Sequence, residues 1–125
     1  MKKKILIFDD DQSILDVFKI IFAENGYEVQ ISQTSQDILD RVSAFFPDLI
    51  LMDNWIPEIG GIGALKLLKN EDSYKNIPVI YMTANSDISS LAKKAQADDF
   101  IAKPFDLNKL ERMVEKYLYA ERLSH

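Results

Sequence analysis

Cysteine is absent and the single histidine is His125, so disulfide frameworks, thiolate zinc sites, thiol catalysis and histidine-based triads all lack their atoms. Glycine and proline are sparse, four of each in 125 residues. No glycine-rich phosphate cradle follows the first apolar run, where Asp10-Asp11-Gln12-Ser13 stands instead, so nucleotide-binding readings lose their phosphate site. No window approaches the ~20 apolar residues of a membrane helix. Behind Met1-Lys2-Lys3-Lys4 the apolar run is only Ile5 to Phe8, too short for export, and the expectation is a cytoplasmic protein away from the membrane. Bases are outnumbered 15 to 20, a net charge of −5, which argues against a direct nucleic-acid surface.

What remains is an ordinary globular composition, 47% apolar, at a length that fits one compact domain over residues 1–125. Short apolar runs alternate with longer amphipathic stretches, the pattern of strand-helix units around a parallel sheet. Five strands are expected: Lys4 to Phe8, Glu28 to Ser32, Leu49 to Met52, Val79 to Met82 and Phe100 to Ala102. Four are nearly continuous in apolar residues, as in strands covered on both faces. The second alternates polar and apolar, which suits a sheet edge.

Five helices are expected between and after them. The first carries Ile14, Val17, Phe18, Ile21 and Phe22, with Gly26 as its left-handed terminator. Ile38, Leu39 and Val42 mark the second, Leu65, Leu67 and Leu68 the third, and Ile88, Leu91, Ala92 and Ala95 the fourth. The last runs from Leu107 through Leu110, Val114 and Tyr117 to Leu118, with Asp106 as N-cap and a Phe105–Leu110 staple. Right-handed crossovers with helices on both faces give an α/β flavodoxin-like (βα)5 fold with strand order 2-1-3-4-5. Ligands of such sheets bind at the carboxyl ends of the strands where the winding reverses, here between strands one and three.

Those ends are polar: Asp9-Asp10-Asp11, Asp53, Thr83 and Lys103. Asp11 alone reads as a helix cap. Taken together on neighbouring strands, the set is hard to explain by capping. Two carboxylates about 4 Å apart repel by roughly 4 kcal/mol at an effective dielectric of 20, so Asp9, Asp10 and Asp53 need a cation. Lys103 supplies one charge. A hard divalent ion, magnesium rather than zinc or copper, suits the remaining all-oxygen donors. The calcium-loop spacing is missing. Such a metal beside a lysine would let an aspartate attack phosphorus and form an acyl phosphate, with the Thr83 hydroxyl donating to a phosphoryl oxygen.

At this point the chain resembles the receiver domains of two-component response regulators. The likeness rests on Lys4-Ile5-Leu6-Ile7-Phe8-Asp9-Asp10-Asp11, on Pro47-Asp48-Leu49-Ile50-Leu51-Met52-Asp53 with Pro57 and Gly61, on Val79-Ile80-Tyr81-Met82-Thr83-Ala84, and on Ala97-Asp98-Asp99-Phe100-Ile101-Ala102-Lys103-Pro104-Phe105. The resemblance implies a phosphoprotein of two-component phosphorelay signalling, not a metabolic enzyme, that catalyses only its own phosphoryl transfer and dephosphorylation. It implies Asp53 as phosphoacceptor and Asp9, Asp10, Asp53 and the Trp55 backbone carbonyl as magnesium ligands. It further implies Lys103 as phosphoryl contact, a cis peptide before Pro104, and Thr83 and Phe100 as switch residues. The implied partners are a sensor histidine kinase or histidine phosphotransfer protein, and downstream another protein or a second copy. The chain is then either a stand-alone receiver or part of a longer regulator.

Four positions depart from the family pattern. Gly60 replaces a usual aspartate, Gln96 a frequent glycine, and Phe100 lacks a phenolic hydroxyl. Trp55 places a bulky indole two residues beyond the phosphoacceptor, where it could exclude the water that hydrolyses the acyl phosphate. The alternative of a different class is an aspartate-nucleophile phosphatase of the haloacid dehalogenase type, built on the Asp9-Asp10-Asp11 run, which leaves Asp53 without a role.

Overall fold

The computed structural model describes residues 2–53, 60–83, 97–103 and 106–119. In chain order the elements are β1 (Lys4–Phe8), α1 (Gln12–Glu24), β2 (Glu28–Ser32), α2 (Ile38–Phe45), β3 (Leu49–Asp53), α3 (Gly60–Lys69), β4 (Val79–Thr83), β5 (Asp99–Ala102) and α4 (Leu107–Leu118). The strands form one sheet in the order β2-β1-β3-β4-β5, every pairing parallel. The flavodoxin-like order expected from the sequence is the order observed. The helix expected around Ile88, Leu91, Ala92 and Ala95 lies outside the described residues.

Successive strand residues point to opposite faces, and each face has its own core. Ile5, Ile7, Leu49, Leu51, Ile80 and Met82 pack with Leu15, Phe18 and Phe22 of α1 and with Leu110, Val114 and Leu118 of α4. Leu6, Phe8, Ile50, Met52, Val79 and Tyr81 pack on the other side against Ile38, Val42 and Phe45 of α2 and Ala64, Leu65 and Leu68 of α3. β1 and β3 are therefore apolar throughout because both of their faces are covered. β2, at the sheet edge, keeps its polar-apolar alternation.

The expected helix ends form. Asp11 caps α1 by accepting from the Ser13 amide at 2.9 Å, and Asp106 caps α4 by accepting from the Asn108 amide at 2.8 Å. Gly26 takes φ +93°, the left-handed conformation that lets the chain leave α1 and enter β2. Phe105, the expected staple residue, lies outside the described residues.

Two expectations need correction. α1 buries Leu15, Phe18 and Phe22, whereas Val17 is 47% exposed and Ile14 and Ile21 are only partly covered. With Ile14 and Leu15 adjacent, two apolar stripes compete along this helix, and only contact with β1 and α4 selects the one that is buried. Leu67 likewise faces solvent beside the buried Leu65 and Leu68. The strands also run further than their apolar runs. β3 extends to Asp53, β4 to Thr83, and β5 begins at Asp99, because the parallel ladders pair Asp53 with Met82, Thr83 with Ala102 and Ile80 with Asp99.

Candidate functional site

Asp53 is thus the last residue of a central strand. Its neighbour across the ladder, β1, ends one residue before Asp9, and the Asp9 amide continues the pairing by donating to the Ser32 carbonyl at 3.1 Å. Sheet geometry therefore fixes the backbones of both aspartates before any side-chain contact is made. Asp9 and Asp53 are buried, while Asp10 remains exposed on the rim. Carboxylate oxygens of the three lie within 4.8 Å of one another.

Lys103 follows directly after β5 and reaches across the end of β4 to both buried acids. Its Nζ lies 2.8 Å from Asp53 Oδ1 and donates to Asp9 Oδ2 at 3.0 Å. The other Asp9 oxygen accepts from the Asp11 amide at 2.9 Å. Burial lifts the Asp9 carboxyl above its ordinary value. The Asp11 amide and Lys103 pull it down, Asp53 pushes it up, and the net direction is upward. For Lys103, burial is the largest single influence and disfavours the charge, but hydrogen bonds and attraction from Asp53 and Asp9 outweigh it, so the ammonium is held more firmly than usual. Tyr81, buried on β4, is pushed up to about 12 by burial and by the negative Asp53 nearby.

Three carboxylates against one ammonium leave the cluster two positive charges short of neutrality. Its donors are all hard oxygens, with no nitrogen or sulfur ligand, and Asp10 gives it an open aqueous side. That donor set fits a hydrated hard dication and fits zinc or copper poorly.

Of the residues singled out in the sequence, the structure brings Asp9, Asp10, Asp53 and Lys103 together at the carboxyl edge of the sheet. Thr83 ends β4 opposite Ala102, with only its backbone described. Phe100 pairs with Tyr81 in the ladder and is 39% exposed. Trp55 and Pro104 lie outside the described residues, as does Gln96. Sequence reasoning missed Gln33, whose Nε2 donates to the Asp10 carbonyl at 3.1 Å and so ties the loop after β2 to the acidic rim. An exposed glutamine carries no pattern that would have singled it out.

The family model for the response regulator receiver domain matches residues 5–115. The chain is 38% identical over 120 residues to sporulation initiation phosphotransferase F of Bacillus subtilis, covering 94% of this chain and 95% of that one. It is 35% identical to part of the CAI-1 autoinducer sensor kinase/phosphatase CqsS of Vibrio cholerae, of whose length it spans 18%, and 32% identical to part of regulatory protein AtoC of Escherichia coli, of which it spans 26%. Among solved structures, a CheY-like receiver domain protein from Methanospirillum hungatei superposes with a TM-score of 0.88 at 29% identity, over the whole of both chains.

Proposed function

The chain belongs to the response regulator receiver family, and from that premise we propose that Asp53 is the residue that takes the phosphoryl group. In this reading a carboxylate oxygen of Asp53 attacks phosphorus of a phosphohistidine on a sensor kinase or phosphotransfer protein. The P–N bond breaks as the P–O bond forms, and the leaving imidazole regains a proton. Asp9, Asp10 and Asp53, with the backbone carbonyl of Trp55, would hold a magnesium ion, which supplies positive charge to offset that of the incoming group. Lys103 moves from its carboxylate partners to a phosphoryl oxygen, and the Thr83 hydroxyl donates to another. Phe100 then turns inward, and the surface around β5 and α4 changes its affinity for a protein partner or a second copy.

The observation that carries this reading is the pair of buried acids on adjoining strands, both held by one lysine from the last strand. The phosphatase alternative gains no support from the relatives and leaves Asp53, fully embedded in this cluster, idle. In the proposed setting the receiver spans residues 1–125, acts in the cytoplasm, and catalyses only its own phosphorylation and dephosphorylation. No helix among the described residues is long and apolar enough to cross a membrane.

Mass spectrometry after incubation with a small-molecule phosphodonor and magnesium tests the assignment. The label is expected on Asp53 and absent from Asp53→Asn. A label on Asp9, or steady turnover of a phosphate ester, overturns it in favour of the phosphatase.

A further inference from the structure

Strand β5 is four residues long, pairs among the described residues only with β4, and leads directly into Lys103 of the site. A short edge strand is weakly held by its own ladder. Here its amino end is fastened from both faces of the sheet. The Asp98 amide donates to the Val79 carbonyl at 2.9 Å, and Asp98 Oδ2 accepts from the Val79 amide at 2.8 Å, so one residue closes a ring with the first residue of β4. From the α3 side, Lys69 Nζ reaches the same Asp98 oxygen at 3.2 Å and also donates to the carbonyls of Lys75 and Ile77. Its side chain is only 9% exposed, and its three donors meet three acceptors. From the α4 side, the Tyr117 hydroxyl sits 3.0 Å from the Asp98 carbonyl and 3.1 Å from Asp99 Oδ2.

We infer that Lys69 and Tyr117 are positioning residues for Lys103, clamping the start of β5 so that the lysine at its far end stays in register with Asp9 and Asp53. The reason is geometric. A strand advances about 3.3 Å per residue, comparable with the 2.8 and 3.0 Å contacts that Lys103 must keep. A slip well short of one residue therefore breaks those contacts. Neither Lys69 nor Tyr117 touches the acidic cluster in any contact described, so their influence on it must pass through β5. The inference rests on the proposed role of Lys103 at the phosphoryl group.

The test is the rate of Asp53 labelling by a small phosphodonor at saturating magnesium, for Lys69→Met and Tyr117→Phe, each in the native background and in Lys103→Met. Each is expected to slow labelling by about threefold or more in the native background, as sub-ångström misplacement does, and to add nothing once Lys103 is gone. Equal slowing in both backgrounds, or none in the native one, overturns the inference. Tyr117→Phe removes one oxygen and keeps the ring, so it remains informative if Lys69→Met fails to fold. Should Lys103→Met leave labelling unchanged, the proposed role of Lys103 fails. The clamp is then judged from thermal midpoints in chelator. The drop caused by Lys103→Met should be smaller in Tyr117→Phe than in the native protein, and an equal drop refutes the clamp.

Discussion

Replacing Lys103 by methionine in metal-free protein removes the ammonium that separates two buried carboxylates. At an effective dielectric of 20, each contact of Lys103, at 2.8 and 3.0 Å, is worth about 5 to 6 kcal/mol of gross attraction. Oxygens of Asp9 and Asp53, within 4.8 Å, repel by about 3.5 kcal/mol or more on the same scale. Desolvation offsets much of the gross gain. Removing one partner of a buried pair costs about 3–5 kcal/mol, and because Lys103 is 21% exposed we expect the lower end, about 3 kcal/mol. That is a fall in melting temperature on the order of 10 °C for a chain of this size. Magnesium at about a hundred times its Kd should raise the variant's own stability by about 2.7 kcal/mol over its value in chelator, by mass action.

Acid should also help the variant. Asp9 already holds its proton more firmly than an ordinary aspartate, and loss of Lys103 removes one of the contacts that oppose this. An acid whose folded value is raised stabilises the fold below its unfolded value and loses that contribution as pH rises through the folded one. The deficit is therefore largest at neutral pH and shrinks as the solution approaches the carboxylate range. Urea denaturation followed by circular dichroism, with chelator or magnesium, at neutral pH and again nearer the carboxylate range, measures all three effects. A neutral-pH deficit below about 1 kcal/mol in chelator, or a variant whose own stability magnesium fails to raise, refutes the reasoning.

Ser35 is fully buried and its hydroxyl has no hydrogen-bond partner among the described residues, so Ser35→Ala should raise stability by about 1 kcal/mol in urea titrations. Asp106→Ala removes the α4 cap and should cost about 1 kcal/mol, read from the urea midpoint. Tyr81 and Tyr117 are both pushed up to about 12, first by burial, then by the charge of Asp53 for Tyr81 and by the Asp99 contact for Tyr117. The folded chain thus binds more protons than the unfolded one between the ordinary tyrosine value of 10.0 and about 12, and stability should fall as pH rises across that window. Ultraviolet difference titration of Tyr81→Phe and Tyr117→Phe should each lose one late-ionising phenol. If Trp55 shields the acyl phosphate from water, Trp55→Asn should speed dephosphorylation by about tenfold, and an unchanged rate of label loss would end that idea.

The strands were legible because a covered parallel strand leaves a continuous apolar run and an edge strand an alternating one; Lys4–Phe8, of the first kind, and Glu28–Ser32, of the second, match residue for residue. The acidic site was legible for a related reason: the sheet order brings the residues after β1 and at the end of β3 together wherever their side chains are polar. α1 was read only in part: Phe18 and Phe22 are buried as expected, but Leu15 was missed and Val17 faces solvent, because Ile14 and Leu15 are equally apolar and the choice belongs to the partners of the helix. The clamp on β5 was invisible. Lys69 carries no pattern that singles it out, Asp98 stood out only within the family motif and Tyr117 only on the apolar face of its helix, and only tertiary contact brings a lysine of α3 and a tyrosine of α4 to the same aspartate.

Lys103 and Asp9 are 94 positions apart in sequence, and this separation matters during synthesis. A ribosome releases β1 and β3 long before the lysine that pairs with Asp9 and Asp53 has been made. Until then the emerging chain carries two acids that resist being packed away, so the sheet is disfavoured from closing early around an incomplete centre. Arrival of Lys103, directly after β5, supplies the positive charge those two acids lack, so synthesis of that strand and assembly of the acidic centre are coupled.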